Sequence, residues 1–75
     1  MRLRSLRHRA LIAGIVEARE AADFTQRELA AKLRRSDSFV WKIEAGERRV
    51  EVLEFIEIAH YLGVEPTELM RRVMK

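Results

Sequence analysis

Apolar residues recur along the chain at helical spacing, and the pattern predicts five helices and no strand. Leu11, Ile15, Ala18 and Ala22, with Ile12 beside them, predict a first helix. It starts near Leu6, with Ser5 as its cap, and stops near Asp23, a residue type that tolerates the left-handed conformation. Leu29, Ala30 and Leu33 give the buried stripe of a second helix over about 26–33, and Val40 and Ile43 that of a third over about 37–45. A fourth runs from about Glu51 to Leu62, with Val52, Phe55, Ile58, Ala59 and Leu62 on one stripe and Leu53 and Ile56 on another. A helix apolar on two sides has two neighbours to satisfy, either another helix of the chain or another subunit. Gly63 closes it. Pro66 at N1 opens a fifth helix, with Val64 placed to staple onto Leu69. Leu69, Met70, Val73 and Met74 then form a compact apolar set.

Residues 24–46 carry the sharpest local signals. Thr25 and Glu28 fit a capping box, and Phe24 and Leu29 sit at the two ends of a hydrophobic staple around it. Ser36 is the expected cap of the next helix, and Gly46 its terminator, since glycine takes the left-handed position past a helix end without penalty. A staple-capped helix, a break of about three residues and a second short helix form the plan of a helix-turn-helix. In that motif the second helix enters the DNA major groove.

Charge supports this orientation more by its distribution than by its total of +3. Residues 1–10, a basic lead-in, carry four Arg and no acid. Residues 25–49 carry seven basic and four acidic side chains, net +3, and residues 50–70 carry five Glu and no Lys or Arg, net −5. One part of the chain is suited to face phosphate and another to face away from it. Seventy-five residues suit one domain, 1–75, which buries only about 60% of its unfolded surface and gains from self-association. Without cysteine there are no disulfides or thiolate metal sites. No apolar run approaches the ~20 residues of a membrane span, and no signal-peptide core follows Met1. A cytoplasmic, nucleoid-associated protein is expected. His8 and His60 are isolated, and Gly14, Gly46 and Gly63 are too far apart to form a phosphate loop. Neither enzymatic activity nor a metal or other cofactor is expected.

Four stretches together resemble the lambda-repressor-like (Xre/Cro-type) helix-turn-helix proteins. They are Arg19-Glu20-Ala21-Ala22-Asp23-Phe24-Thr25-Gln26, Glu28-Leu29-Ala30, Ser38 to Arg49, and Leu62-Gly63-Val64-Glu65-Pro66. The resemblance covers about 11–70 and implies a compact five-helix DNA-binding domain. It implies that Gln26, at the start of the second helix, joins the helix amides in binding a DNA phosphate, as the partial positive charge there favours. It also implies a buried ion pair between Arg19 and Glu44; the alternative is two exposed charges that never meet.

The expected recognition surface is the outward face of the third helix, with Asp37, Ser38, Trp41 and Lys42, and Ser36 at the cap. Ser38 and Lys42 can reach base edges or phosphate. Arg35 before the helix, with Arg48 and Arg49 after it, are read as phosphate clamps. Three residues depart from the family pattern. Asp37 stands where relatives carry Gln, and either accepts from cytosine or serves as an acid at the helix N-terminus. Arg34 stands where relatives carry Gly in the turn, and Trp41 where they carry a small polar residue. Trp41 can contact DNA, anchor a protein partner or lie on the domain's own surface. Leu53, Ile56, Leu69, Met70, Val73 and Met74 are the expected homodimer patch. The functional expectation is sequence-specific binding of double-stranded DNA by a homodimeric transcriptional regulator, most simply a repressor. The alternative is a protein-interaction module, an antitoxin or adaptor that engages a toxin or another regulator, with secondary DNA binding.

Overall fold

The structure is a computed structural model that describes residues 5–74. Residues 1–4 of the basic lead-in lie outside the described residues. Among the described residues five helices follow one another: α1 (Leu6–Ala21), α2 (Gln26–Lys32), α3 (Phe39–Glu44), α4 (Val52–Tyr61) and α5 (Pro66–Val73). No helix among the described residues is long and apolar enough to cross a membrane.

The helix starts follow their side-chain chemistry. Ser5 Oγ accepts from the His8 amide at 3.0 Å, capping α1. The α2 cap is reciprocal: Thr25 Oγ1 accepts from the Glu28 amide at 3.0 Å, and the Thr25 amide donates to Glu28 Oε1 at 2.9 Å. Helix α5 opens on Pro66, where the missing N–H has no helical partner to lose.

Four helices end in the same way. The residue after the C-cap is left-handed in each: Asp23 (φ 64°), Arg34 (φ 58°), Gly46 (φ 79°) and Gly63 (φ 71°). In each, the next amide reaches back to the last helical turn: Phe24 to Arg19, Arg35 to Ala30, Glu47 to Lys42 and Val64 to Ala59, at 2.9–3.2 Å. These are Schellman endings, which satisfy carbonyls the helix would otherwise leave unpaired. At Arg34 a side chain occupies a conformation that glycine adopts without strain, which is the expected consequence of Arg in this turn.

The break between α2 and α3 is longer than the three residues expected. It runs over residues 33–38, and α3 starts at Phe39 rather than near 37. Ser36 is not its cap: its carbonyl accepts from the Phe39 amide in a tight turn. Ser38 holds the cap position with φ −90° and ψ −1°, and its side chain makes no capping bond. An Asp and two Ser in succession favour such a turn over continued helix.

The core joins Ile15 and Ala18 of α1, Leu29 and Ala30 of α2, Phe39, Val40 and Ile43 of α3, and Ile58 and Leu62 of α4 and its cap. Phe55, Ala59 and Leu69 extend it toward α5. Helix α1 packs most extensively on α5 and also meets α3, while α2 packs against α3. Helices α1 and α5 approach closely at Gly14, where an added Cβ would stand 3.3 Å from Leu69 Cδ1. Three sequence assignments change. Leu69 is fully buried and Val73 nearly so; both face the core rather than a partner subunit. Val52 is 73% exposed and leaves the core stripe of α4. It is the first residue of its helix, before the stripe turns inward.

Candidate nucleic-acid interface

Helix α3 is held from one side by a buried ionic network. Arg19 of α1 donates from Nε to Glu44 Oε2 at 2.7 Å and from Nη2 to Glu44 Oε1 at 3.1 Å. Its Nη1 donates to the Phe24 carbonyl at 2.8 Å. Both side chains are largely removed from solvent, at 12% and 7% exposure. The hydrogen bond to Glu44 raises the Arg19 pKa above its ordinary value, against the opposing effect of burial. Gln26 joins the same group, donating from Nε2 to Glu44 Oε1 at 2.7 Å. The side chain expected on a DNA phosphate is therefore turned inward, tying the start of α2 to the end of α3. Glu44 attracts it because one more donor completes the shell of a buried carboxylate.

A second network braces the opposite side. Glu54 of α4 is a buried acid, 5% exposed. Arg48 Nη1 donates to its Oε1 at 2.7 Å and Nη2 to its Oε2 at 2.9 Å. Arg35 Nη2 donates to the same Oε2 at 2.9 Å, and the Glu51 amide donates to Oε1 at 3.0 Å. Chiefly through the Arg48 hydrogen bonds, the Glu54 carboxyl is held down at about 2, although burial acts the other way. The same bonds raise the pKa of Arg48. Both guanidinium groups lie over the Phe39 ring, with Cζ 4.5 Å from its centroid for Arg35 and 4.7 Å for Arg48.

Sequence reading placed Arg35 and Arg48 as phosphate clamps and the acids of 50–70 away from them. The structure instead brings Glu54 between the two. The missed signal is helical register: position 54 lies one turn before Ile58 and beside Phe55, on the buried face of α4. Phe39 was likewise missed as the surface under the two arginines. Arg48 and Arg35 remain part-exposed, at 33% and 40%. Arg48 also donates to the Arg49 carbonyl at 2.8 Å, which shapes the loop after α3.

The outward side of this braced helix presents Trp41 and Lys42 to solvent, with Ser36 and Asp37 exposed in the turn before it and Ser38 half-buried at its cap. Trp41 is 48% exposed. Asp37 lies 3.3 Å from Arg27 Nη2 in a pair exposed on both sides, so Arg27 of α2 joins the surface, another residue sequence reading missed. Val52, Leu53 and Ile56 of α4 and Met70 and Met74 of α5 are exposed apolar residues on neighbouring helices. Val52 and Met70 line one small apolar depression with Leu11 and Phe55, which joins the α4 and α5 parts of this surface.

Two short helices at a fixed angle, the second carrying an open polar face flanked by arginines, define a helix-turn-helix domain. The helix-turn-helix family profile matches residues 15–69. The chain belongs to the Xre, or lambda-repressor-like, family of helix-turn-helix DNA-binding transcription regulators. It is similar to an XRE-family like protein from Pseudomonas syringae, at 44% identity and a TM-score of 0.85 over 91% of this chain and 83% of that one. It is similar to the clp gene regulator ClgR from Corynebacterium glutamicum, at 27% identity and a TM-score of 0.82 over 95% and 74%. The restriction-modification controller protein C.AhdI from Aeromonas hydrophila gives 30% identity and a TM-score of 0.72 over 80% and 91%. A comparison with curated protein sequences gives no match.

Proposed function

We propose that the protein is a homodimeric repressor that reads double-stranded DNA with the outward face of α3. The observation that carries this reading is α3 itself. It is locked to α1 and α2 through Glu44 and flanked by arginines on α4's carboxylate, yet it leaves Asp37, Trp41 and Lys42 open. A braced helix with a solvent-facing polar side is suited to base edges, and the flanking cations to phosphate. Ser38 and Lys42 are the proposed readers, Asp37 and Trp41 the residues that set this chain's preference apart, and Arg35, Arg48 and Arg49 the backbone contacts. Ser36, exposed in the turn, lies at the edge of the contact.

Self-association goes through the exposed apolar residues Val52, Leu53, Ile56, Met70 and Met74. A six-residue reading helix offers few contacts, and pairing two of them doubles the footprint. The half-sites then lie about 34–36 Å apart, or a multiple of one turn. The Xre-family relative, ClgR and C.AhdI are regulators or family members by name, which supports the regulatory part of the reading.

The exposed Trp41 beside Asp37 favours a second reading, a module that docks a protein partner such as a toxin or another regulator. Quantitative gel shifts on selected and random duplexes separate the two. The repressor reading expects replacement of Ser38 or Lys42 to change sequence preference, and replacement of Arg49 to weaken all sequences alike. Equal loss on selected and random DNA for all three contradicts the division of roles.

A further inference from the structure

The two arginines that flank α3 share more than a neighbourhood. Arg35 precedes the helix and Arg48 follows it, yet both guanidinium groups lie over one aromatic ring and both donate to Glu54 Oε2. Two like charges brought this close repel each other, so the arrangement needs an anion between them. Glu54 is that anion, and it comes from a different element, α4. Its lone pairs are filled by three arginine hydrogen bonds and the Glu51 amide, so it is fixed in place. The three charges sum to +1, and the arginines stay part-exposed at 40% and 33%. The cluster therefore keeps a surplus of positive charge at the rim of the α3 face.

We infer that Glu54 is a positioning residue: it sets the Arg35 and Arg48 guanidinium groups side by side over Phe39 as a two-pronged clamp for DNA phosphate, before DNA arrives. The inference rests on the DNA-binding reading of α3 given above. Arginine side chains are rich in rotamers, and immobilising each on binding costs affinity; a clamp ordered beforehand has already met that cost. Glu54 also sits on the helix that carries Leu53 and Ile56, so the proposed dimer helix and the phosphate clamp share one rigid element.

The charge change gives a discriminating test. Removing an acid near DNA raises the positive charge, so electrostatics alone expects tighter binding. Positioning expects the opposite. Full-length Glu54→Gln is compared with Glu57→Gln, a charge-matched change at an exposed position of the same helix. Dissociation constants are measured on duplex DNA across a salt series, with circular dichroism to verify folding. Glu57→Gln is expected to bind as tightly as the wild type or slightly more so. Glu54→Gln is expected to bind roughly ten-fold more weakly, with a shallower salt slope because fewer phosphates are neutralised. Folded Glu54→Gln that binds as tightly as Glu57→Gln overturns the inference.

Should Glu54→Gln fail to fold, arginine side-chain NMR of the free wild-type chain decides. Slowed Cζ–Nη rotation and slowed exchange of the Nη2 protons of Arg35 and Arg48, which donate to Glu54, support a preset clamp; behaviour as fast as that of the exposed Arg27 overturns it. Absence of any DNA binding by the wild-type chain overturns the DNA-binding reading, and the clamp with it. Weakening confined to Glu54→Gln, with the wild type and Glu57→Gln intact, isolates the positioning role.

Discussion

Glu54 and Asp37 are both acids near arginines, but burial gives them different consequences. Glu54 is almost fully buried, with its carboxyl held at about 2, well below the ordinary 4.5. Its folded-state pKa is depressed, so the stabilisation is fully present above the unfolded value and is lost as pH falls through the folded one. Thermal melts should therefore hold nearly constant through this group from neutral pH down to about 5. They should fall between about 4.5 and 2, by roughly 3 kcal/mol in total. Glu54→Gln should flatten that part of the acid limb; an unchanged limb would mean that other carboxylates control acid unfolding. Asp37 pairs with Arg27 in the open, where the pair contributes little to stability. In the proposed DNA-binding reading its influence is on the approach of phosphate. Asp37→Asn should leave the melting temperature within a degree or two and strengthen binding to random DNA by about two- to five-fold at low salt. Filter binding at two salt concentrations measures this, and weaker binding to random DNA would instead make Asp37 a direct contact. Arg19 and Glu44 are a buried pair on the other side of α3. Arg19→Met alone should cost about 3–5 kcal/mol, because Glu44 is left uncompensated in a shielded site. Adding Glu44→Leu should recover much of that loss in urea denaturation, which a merely superficial pair would not show.

The elements follow the sequence closely where local chemistry decides them. The Ser5 and Thr25–Glu28 caps, the Pro66 start and the left-handed endings at Asp23, Gly46 and Gly63 all act over a few residues. The start of α3 was less legible, because Ser36, Asp37 and Ser38 can each cap a helix or form a turn, and the preceding Arg34 gives no glycine to mark the spot. Arg34 makes its own prediction at this scale. It holds φ 58° at the end of α2, where an L side chain is crowded and glycine is not. Arg34→Gly should raise stability by up to about 1 kcal/mol, seen as a melting temperature several degrees higher. A loss would mean that the Arg34 side chain supplies a contact that outweighs the strain. The ionic networks were legible only in part. Family resemblance pointed to Arg19 with Glu44, but Glu54 with Arg35 and Arg48 joins residues 6 and 19 positions apart across three elements. Linear charge counting grouped Glu54 with its acidic neighbours, while helical register puts it with Phe55 and Ile58 on the buried side of α4.

Across the whole molecule, two surfaces carry the proposed function. One is the α3 face with its arginine flanks, and the other the exposed apolar residues of α4 and α5. Burial removes Leu69 and Val73 from the second surface and adds Val52. Leu69 cannot be reached by helical periodicity alone, since α5 is apolar on adjacent positions and its packing with Phe55 and Ala59 decides which faces inward. Charge placed at an exposed position therefore tests association without touching the core: Met70→Glu should shift the chain toward monomer in sedimentation velocity and weaken DNA binding in parallel. A wild-type chain that stays monomeric at high concentration would contradict the dimer. Whether the face of α3 reads DNA sequence is decided by selection of genomic fragments in a salt-dependent gel shift, with sequencing of the bound sites. A DNA-reading α3 gives selective binding with a dissociation constant below about 1 µM, to sites whose halves repeat at one helical turn, with Trp41 fluorescence changing on binding. Weak binding that is uniform across sequences, with Trp41 fluorescence unmoved by DNA, would contradict it.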